Sequence, residues 1–166
     1  MNLKALYKIS YGLYVVSSAK DGKFNCQIAN SICQVSSSPI LVAACLNKQN
    51  LTNEFVKSSG LLSVSILAKD TPLDFIRKLG FKSGKDTEKF DELNYKIGKT
   101  GVPIVLDNAV AYIEAKVVSS FDVNTHTIFV GEVVDAEIVE DREVMTYEYY
   151  QSLKGKTPKT ATTHLE

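Results

Sequence analysis

Apolar and polar positions in the first part of the chain follow the pattern of antiparallel strands. Residues 11–18 and 25–28 are rich in apolar, β-branched and aromatic side chains and have the length of strands. Between them lies the pair Asp21-Gly22, which is typical of two-residue hairpin turns. Residues 39–46, PILVAACL, are apolar on both parities of a period-two count. That pattern predicts a strand covered on both faces.

Two short helices are predicted to interrupt the strands. Each begins with residues that cap helix N-termini and ends with a glycine, which readily adopts the left-handed conformation found after the last helical turn. The signals are Asn50 or Thr52 with Gly60 for the first helix, and Thr71, Pro72 and Asp74 with Gly80 for the second.

Longer strands are predicted in the second half of the chain. Residues 61–67 alternate between apolar and polar, and the longer segments 109–120 and 126–139 follow one another across a turn. Residues 81–103 are polar and irregular, with a short helix predicted near residues 87–91. The side chains predicted to face the core from the first of these strands are Leu62, Val64 and Ile66.

This order of elements predicts a mainly β fold with about six or seven strands and short helical insertions. The helices are too few and too short to cover both faces of a parallel sheet, which argues against a doubly wound α/β fold. A closed or nearly closed antiparallel barrel fits the pattern better. We expect one domain over residues 1–154 and an extended, polar and basic C-terminal tail over residues 155–166.

Composition and charge narrow the class of protein. The 166 residues are 45% hydrophobic and 23% charged, as in an ordinary soluble globular domain. Nineteen basic residues balance nineteen acidic ones, so no overall charge favours nucleic acid or an anionic membrane. No apolar run approaches the roughly 20 residues that span a bilayer. Cys26, Cys33 and Cys45 lack metal-type spacing. We therefore expect free thiols, no bound metal and a reducing cytoplasm.

Residues 30–39, NSICQVSSSP, do not fit the strand pattern cleanly. Apolar and polar side chains occur on both parities, whereas a half-buried strand keeps them apart. The short hydroxyls and amides can match a flat ring whose edge alternates donors and acceptors. A polar edge strand explains the same composition, and the composition does not separate the two interpretations.

Two further clusters could bind an anion. Lys48, Asn50 and Thr52 lie at or just before a predicted helix N-terminus, where free backbone N–H groups favour negative charge. Simple helix capping explains the last two equally well. The second cluster, residues 80–90, GFKSGKDTEKF, offers a hydroxyl, a flexible backbone and lysines. It lacks the P-loop pattern, and its acidic residues also make it an ordinary charged surface loop.

His126 opens a predicted strand, and we expect its ring to point out at the mouth of the barrel. A lone histidine there is either structural or catalytic. The sequence lacks H-E-x-x-H and C-x-x-C, and no Ser/His/Asp set accompanies the histidine, which argues against a zinc enzyme or a hydrolase. G-x-G-x-x-G is also absent, so a pyridine nucleotide would bind without a Rossmann unit.

Taken in order, these motifs resemble the flavin reductase-like, FMN-binding split-barrel family. The branch they resemble contains flavoredoxins and the flavin domains of high-molecular-weight rubredoxins. The resemblance runs from about residue 7 to residue 160. Its carriers are YGLYVVSS, DGKFN, IANSICQVSSSP, KQNLTNEF, GFKSGKDTEKF, TGVP, THTIFVGEV and YYQSLKGKTPKTA.

The resemblance implies a Greek-key antiparallel split β-barrel that forms a homodimer, with FMN near the subunit boundary. His126 would lie near the reactive face of the flavin. The residues implied to line the isoalloxazine and ribityl chain are Ala29, Asn30, Ser31, Gln34, Val35, Ser36 and Ser37. Those implied to hold the ribityl phosphate end are Cys45, Leu46, Asn47, Lys48, Asn50 and Thr52, with Ser83, Gly84, Lys85 and Lys89 closing over the phosphate.

The function implied is that of an FMN-dependent oxidoreductase. It would accept hydride from NADH or NADPH and pass electrons to a small acceptor or to a rubredoxin-like electron-transfer protein. Two alternatives stay open: an FMN-containing electron carrier without its own NAD(P)H site, and a non-catalytic barrel that binds a flavin or another flat ligand. The sequence also leaves open whether NADH or NADPH is preferred, what the electron acceptor is, and whether FMN is a tightly bound prosthetic group or an exchanging substrate.

Overall fold

The computed structural model describes residues 1–153 and 155–164. Seven strands form one antiparallel sheet: β1 Tyr14–Lys20, β2 Lys23–Ala29, β3 Ile32–Ser37, β4 Ile40–Asn47, β5 Leu61–Leu67, β8 Ala109–Val123 and β9 His126–Ile138. Between β5 and β8, a separate pair consists of β6 Tyr95–Ile97 and β7 Pro103–Val105. The helices are α1 Leu51–Ser59, α2 Leu73–Phe81 and α3 Tyr147–Ser152, with 3-10 helices at Leu3–Lys8 and Lys89–Glu92.

The order of strands in the large sheet is β2-β1-β5-β8-β9-β4-β3. Its two edge strands, β2 and β3, are consecutive in the chain, so the sheet curls until its edges approach without pairing in the part of the chain described here. Apolar side chains pack on both sides of this sheet in two buried clusters, one including Leu13 and Leu79 and the other including Leu46 and Phe129. The predicted mainly β, antiparallel fold with short helices is confirmed.

Local sequence signals correctly predicted the β1–β2 turn and the two ends of α1. Asp21 and Gly22 have positive φ angles of 50° and 74° and join β1 to β2, as a tight hairpin turn requires. Asn50 is the N-cap of α1, and Gly60 ends this helix in the left-handed conformation with φ of 68°. The short helix predicted near residues 87–91 occurs at Lys89–Glu92.

The predicted signals of α2 were wrong at both ends. The Thr71 hydroxyl donates to the Ala68 carbonyl, so no capping box forms. Gly80 lies inside the helix, which continues to Phe81. A Cβ at Gly80 would lie 3.4 Å from the Ile28 side chain, which is an ordinary contact, so the packing of α2 on β2 does not require glycine there.

Strand β5 is buried on both faces, which its alternation did not predict. Leu62 and Val64 are buried as expected, but Ser63 and Ser65 are fully buried as well. The pair β6–β7, which the sequence did not reveal, covers the second face. Ser63 donates to the Pro103 carbonyl at 2.6 Å, and Ser65 donates to the Val105 carbonyl at 2.7 Å. No helix in the described residues is long and apolar enough to cross a membrane.

Candidate functional site

A cavity of about 370 Å³ lies beside the unpaired edge of β2. Its volume is in the range of small-molecule sites. Four parts of the chain form its walls: β2 with the ends of β4 and β9, the start of α1, the loop after α2, and the C-terminal segment. Its lining residues include Asn25, Gln27, Ala29, Asn30, Cys45, Asn47, Asn50, Thr52, Lys82, Ser83, Gly84, Lys89, His126, Lys156, Lys159, Thr160, Ala161 and Thr162.

Alternate residues of β2 turn Asn25, Gln27 and Ala29 toward the cavity. Asn25 donates to the Thr52 hydroxyl at 2.7 Å, which ties β2 to the start of α1. Gln27 is buried, yet its Oε1 has no hydrogen-bond partner among the protein atoms described. Leaving such an acceptor unpaired costs about 1–3 kcal/mol. The Gln27 amide therefore presents an unused acceptor at the middle of this wall.

One end of the cavity is built from short polar groups and backbone. Asn50 and Thr52 lie in the first turn of α1, whose early backbone N–H groups have no helical partner. The loop that contains Ser83 and Gly84 faces them. A Cβ at Gly84 would lie 1.8 Å from Asn25 Oδ1, so only glycine allows this loop to approach so closely. The arrangement is suited to a phosphate or another compact anion.

Lys89 is buried at this end and has no carboxylate partner among the described residues. Its Nζ donates to the Cys26 and Leu79 carbonyls, each at 2.8 Å. Burial lowers the pKa of this ammonium group. Because an ammonium has three donors, two carbonyls leave one unused and do not neutralise the charge. An anionic ligand would accept the third hydrogen bond and neutralise the charge.

His126 is buried beneath the C-terminal segment, not directed out at an open mouth as expected. Its Nδ1 lies 2.8 Å from the Thr125 hydroxyl. Burial lowers the pKa of His126, and a hydrogen bond to the Thr160 backbone opposes that shift. The imidazole is therefore neutral near pH 7 and can donate and accept one hydrogen bond each.

The C-terminal segment, residues 155–164, lies over the cavity. Thr162 donates to Asn30 Oδ1 at 2.8 Å and contacts the Ser31 hydroxyl at 2.6 Å. Asn30 Nδ2 in turn donates to the Thr163 hydroxyl at 2.9 Å. The partners lie more than 130 residues apart in the chain, so no local pattern could reveal them.

The structure brings together ten of the residues that the resemblance implied: Ala29, Asn30, Cys45, Asn47, Asn50, Thr52, Ser83, Gly84, Lys89 and His126. Ser31 lies next to them through its contact with Thr162. The sequence missed Asn25, Gln27 and the C-terminal segment. The alternation of polar residues at 25, 27 and 29 was the available signal for the first two.

The other implied residues do not line the cavity of this chain. Leu46 is fully buried in the core, because neighbouring strand residues face opposite sides. Lys48 and Lys85 are exposed beyond the cavity walls. The four on the edge strand β3 are exposed or half-buried, and their roles stay predictions that require a second chain: Gln34, Val35, Ser36 and Ser37.

The charge of the cavity wall differs from that of the whole chain. Four lysines line it, and within the described residues no aspartate or glutamate does. The chain as a whole has nineteen basic and nineteen acidic residues. The four are Lys82, Lys89, Lys156 and Lys159. A cluster of positive charges in a partly enclosed cavity favours the binding of anionic ligands.

Comparison with known proteins identifies relatives of this chain. The chain is 54% identical to a ferric-chelate reductase (NAD(P)H) of Archaeoglobus fulgidus over all of this chain and 99% of that protein. It is 44% identical to a high molecular weight rubredoxin of Moorella thermoacetica, over 98% of this chain and 72% of the relative.

A solved structure shares the fold. The NADH:FAD oxidoreductase SgcE6 of Streptomyces globisporus superposes with a TM-score of 0.78 at 26% identity, covering 87% of this chain and 85% of the other. The model of the flavin reductase like domain matches residues 6–156, nearly the whole chain. As its motifs predicted, the chain belongs to the flavin reductase-like domain family.

Proposed function

We propose that this protein is an FMN-dependent oxidoreductase that accepts hydride from NADH or NADPH and passes electrons to an acceptor. The observation that carries the proposal is the cavity end that contains the start of α1 and Lys89, which is buried with no carboxylate partner among the residues that the structure describes. The names of the relatives support it, because one is an NAD(P)H-dependent reductase and another a rubredoxin. The acceptor is accordingly a small molecule such as a ferric chelate, or a rubredoxin-like protein.

The residues present fit FMN. The ribityl phosphate would bind between Thr52, the Ser83-Gly84 loop and Lys89, where an uncompensated cation and free backbone donors meet. The unpaired Oε1 of Gln27 lies along the wall between this end and the His126 end, where a hydroxyl-bearing chain supplies donors. The mixed apolar and polar wall and the volume of about 370 Å³ suit a flat ring with a phosphorylated tail.

When bound, FMN supplies the two-electron chemistry, and the protein binds, orients and shields it. Neutral His126 lies at the far end of the cavity with its ring held by the Thr125 hydroxyl and the backbone of Thr160. A nicotinamide carboxamide or a polar ring atom would bond to the imidazole by replacing one of these two partners. The C-terminal segment covers the His126 end of the cavity and limits the access of water.

We also propose a homodimer in which β3 faces the second chain. Gln34 is exposed on this edge strand, and Val35 is 52% exposed. Ile40 on β4 and Phe121 on β8 are 51% and 57% exposed, so several large apolar side chains of this sheet lack cover in a single chain. Light scattering after size-exclusion chromatography tests the dimer. A monomer that still binds FMN tightly would exclude it.

The three cysteines are free in the structure. Burial raises the pKa of the Cys26 thiol to about 12, which makes this thiol unreactive. These features support the proposal of a reducing, cytoplasmic environment. The division into a domain of residues 1–154 and a tail of residues 155–166 stays a prediction, with Leu165 and Glu166 outside the described residues.

The deciding experiment is spectroscopic. We expect purified or FMN-reconstituted protein to show a flavin spectrum that bleaches on anaerobic mixing with NADH or NADPH and recovers when a ferric chelate or rubredoxin is added. An electron carrier without a nicotinamide site would bleach with dithionite but not with either nucleotide. A protein that takes up no FMN at all would refute the proposal.

A further inference from the structure

The lysines of the cavity fall into two groups that one phosphate does not explain. Lys89 lies at the α1 end, bonded to carbonyls of β2 and α2. Lys156 and Lys159 belong to the C-terminal segment, whose residue Thr160 meets His126 at the other end. If the FMN phosphate pairs with Lys89, the second group still faces the cavity without a carboxylate among the lining residues described.

A second, more open cavity lies on the other side of the C-terminal segment. We call it the side cavity. Its volume is about 390 Å³, and it shares Cys45, Asn47, His126, Lys159, Ala161 and Thr162 with the main cavity. Its remaining lining residues are Val123, Thr125 and His164, so both histidines of the chain line it, and no acidic side chain of the described residues does. Residues 159–162 thus lie between two spaces that meet at His126, and Lys159 lines both.

The two lysines of the C-terminal segment are held on a fixed backbone. Before Lys159, the Tyr150 hydroxyl donates to the Lys156 carbonyl at 2.8 Å, and Tyr147 contacts the Thr157 hydroxyl at 2.5 Å. After it, Thr162 and Thr163 bond to the loop between β2 and β3. Hydrogen bonds on both sides thus hold the backbone from which these two exposed lysine side chains extend.

We propose that the C-terminal segment is the binding site for the anionic part of the second substrate. Lys156, which lines the main cavity, and Lys159, which lines both cavities, would supply the charge, and the space around His126 would hold the ligand. The inference rests on the proposed function. The ligand chemistry is a multiply charged anion presented next to His126, either a phosphate of the nicotinamide dinucleotide or the carboxylates of a metal chelate. Cations on this segment would raise the encounter rate of an anionic substrate and favour binding of its reacting group at the His126 end.

The test uses the full chain loaded with FMN and a double variant, Lys156→Gln with Lys159→Gln. The matched control, Lys8→Gln with Lys116→Gln, removes the same charge from two exposed lysines outside both cavities. Stopped-flow mixing measures flavin reduction by NADH and by NADPH, and flavin oxidation by ferric citrate, at low and high salt. Thermal melting, the Kd for FMN and dithionite reduction report on fold and cofactor.

For at least one anionic substrate, we expect the second-order rate constant of the Lys156/Lys159 double variant to fall about 10-fold at low salt, with a weaker salt dependence. The Kd for FMN and the dithionite reaction should not change. Loss with NADPH alone identifies the 2′-phosphate, loss with both nucleotides identifies the pyrophosphate, and loss with ferric citrate alone identifies the chelate.

Unchanged rates with all three substrates, or equal losses in the matched control, would overturn the inference while leaving the proposed function intact. A selective loss of FMN from the double variant would also overturn it, since the lysines would then serve the cofactor. If the double variant melts early, the single variants Lys156→Gln and Lys159→Gln decide by the same rates. A wild-type protein that binds no FMN would overturn both proposals.

Discussion

Replacing Lys89 by methionine separates the phosphate role of this residue from its structural role. The change keeps an unbranched side chain but removes the charge and two hydrogen bonds, to the Cys26 and Leu79 carbonyls. Each of the two carbonyls loses its hydrogen-bond partner, which lowers the free energy of unfolding by about 1–3 kcal/mol per carbonyl. This loss is offset because the variant no longer buries an ammonium group without a counter-charge. We therefore expect only a small change in melting temperature without ligand.

The effect on FMN should be larger and specific to its phosphate. A charge-assisted hydrogen bond contributes about 1.5–3 kcal/mol, which corresponds to a roughly 10- to 150-fold rise in the Kd for FMN. Riboflavin lacks the phosphate, so its Kd should hardly change. Fluorescence titration of both ligands into wild type, Lys89→Met and Lys85→Met measures the difference. Lys85 lies outside the cavity and serves as the matched lysine.

An equal loss of affinity for riboflavin and FMN in Lys89→Met would refute this reasoning, because the lysine would then act through the shape of the cavity. An equal effect in Lys85→Met would refute it as well, since general charge rather than a directed bond would be responsible. Wild-type protein that binds riboflavin as tightly as FMN would remove the phosphate role altogether.

Three further predictions concern the middle and the far end of the cavity. The variant His126→Ala should keep its FMN, but its flavin should be reduced by NAD(P)H roughly 10- to 100-fold more slowly in stopped-flow experiments. Reduction by dithionite should be unaffected. An unchanged rate with NAD(P)H would show that His126 takes no part in this step. Because burial lowers the pKa of His126 from 6.5, the unfolded state binds the proton more readily, so stability should fall as the pH drops below 6.5. Urea melts of His126→Asn should show a weaker fall, and an identical pH profile would contradict this. The variant Gln27→Leu should have a higher melting temperature without ligand, because the unpaired Oε1 is gone, and its Kd for FMN should rise about 10-fold. An unaltered affinity for FMN would show that Gln27 does not contact the ligand.

Sequence patterns predicted the parts of the fold that depend on local chemistry. Positive φ angles are required at Gly22 and Gly60, and glycine supplies them wherever the rest of the chain lies. Gly80 carried the same stop signal, but α2 continues to Phe81 and the glycine lies inside the helix. The buried hydroxyls of Ser63 and Ser65 depend on β7, which lies 40 residues further along the chain.

In the candidate site, too, the sequence predicted the residues whose role depends on local structure. Asn50 and Thr52 line the cavity because a helix N-terminus is a local feature that also favours anions. Lys89 was indistinguishable in sequence from its charged neighbours, and only the fold shows that it is the buried one. The C-terminal segment could not be placed, because its threonines bond to Asn30 and Ser31 at the opposite end of the chain.

The two carbonyls bonded by Lys89 belong to different elements, Cys26 to β2 and Leu79 to α2. One ammonium group therefore fastens the last turns of a helix to a sheet edge, and a ligand on its third donor binds only while that fastening is closed. Ligand affinity and local opening of α2 are thus linked, so every gain in binding free energy is added to the cost of opening the helix. Amide hydrogen exchange across Leu73–Phe81 should slow as the phosphate site fills, including at residues that the ligand never touches.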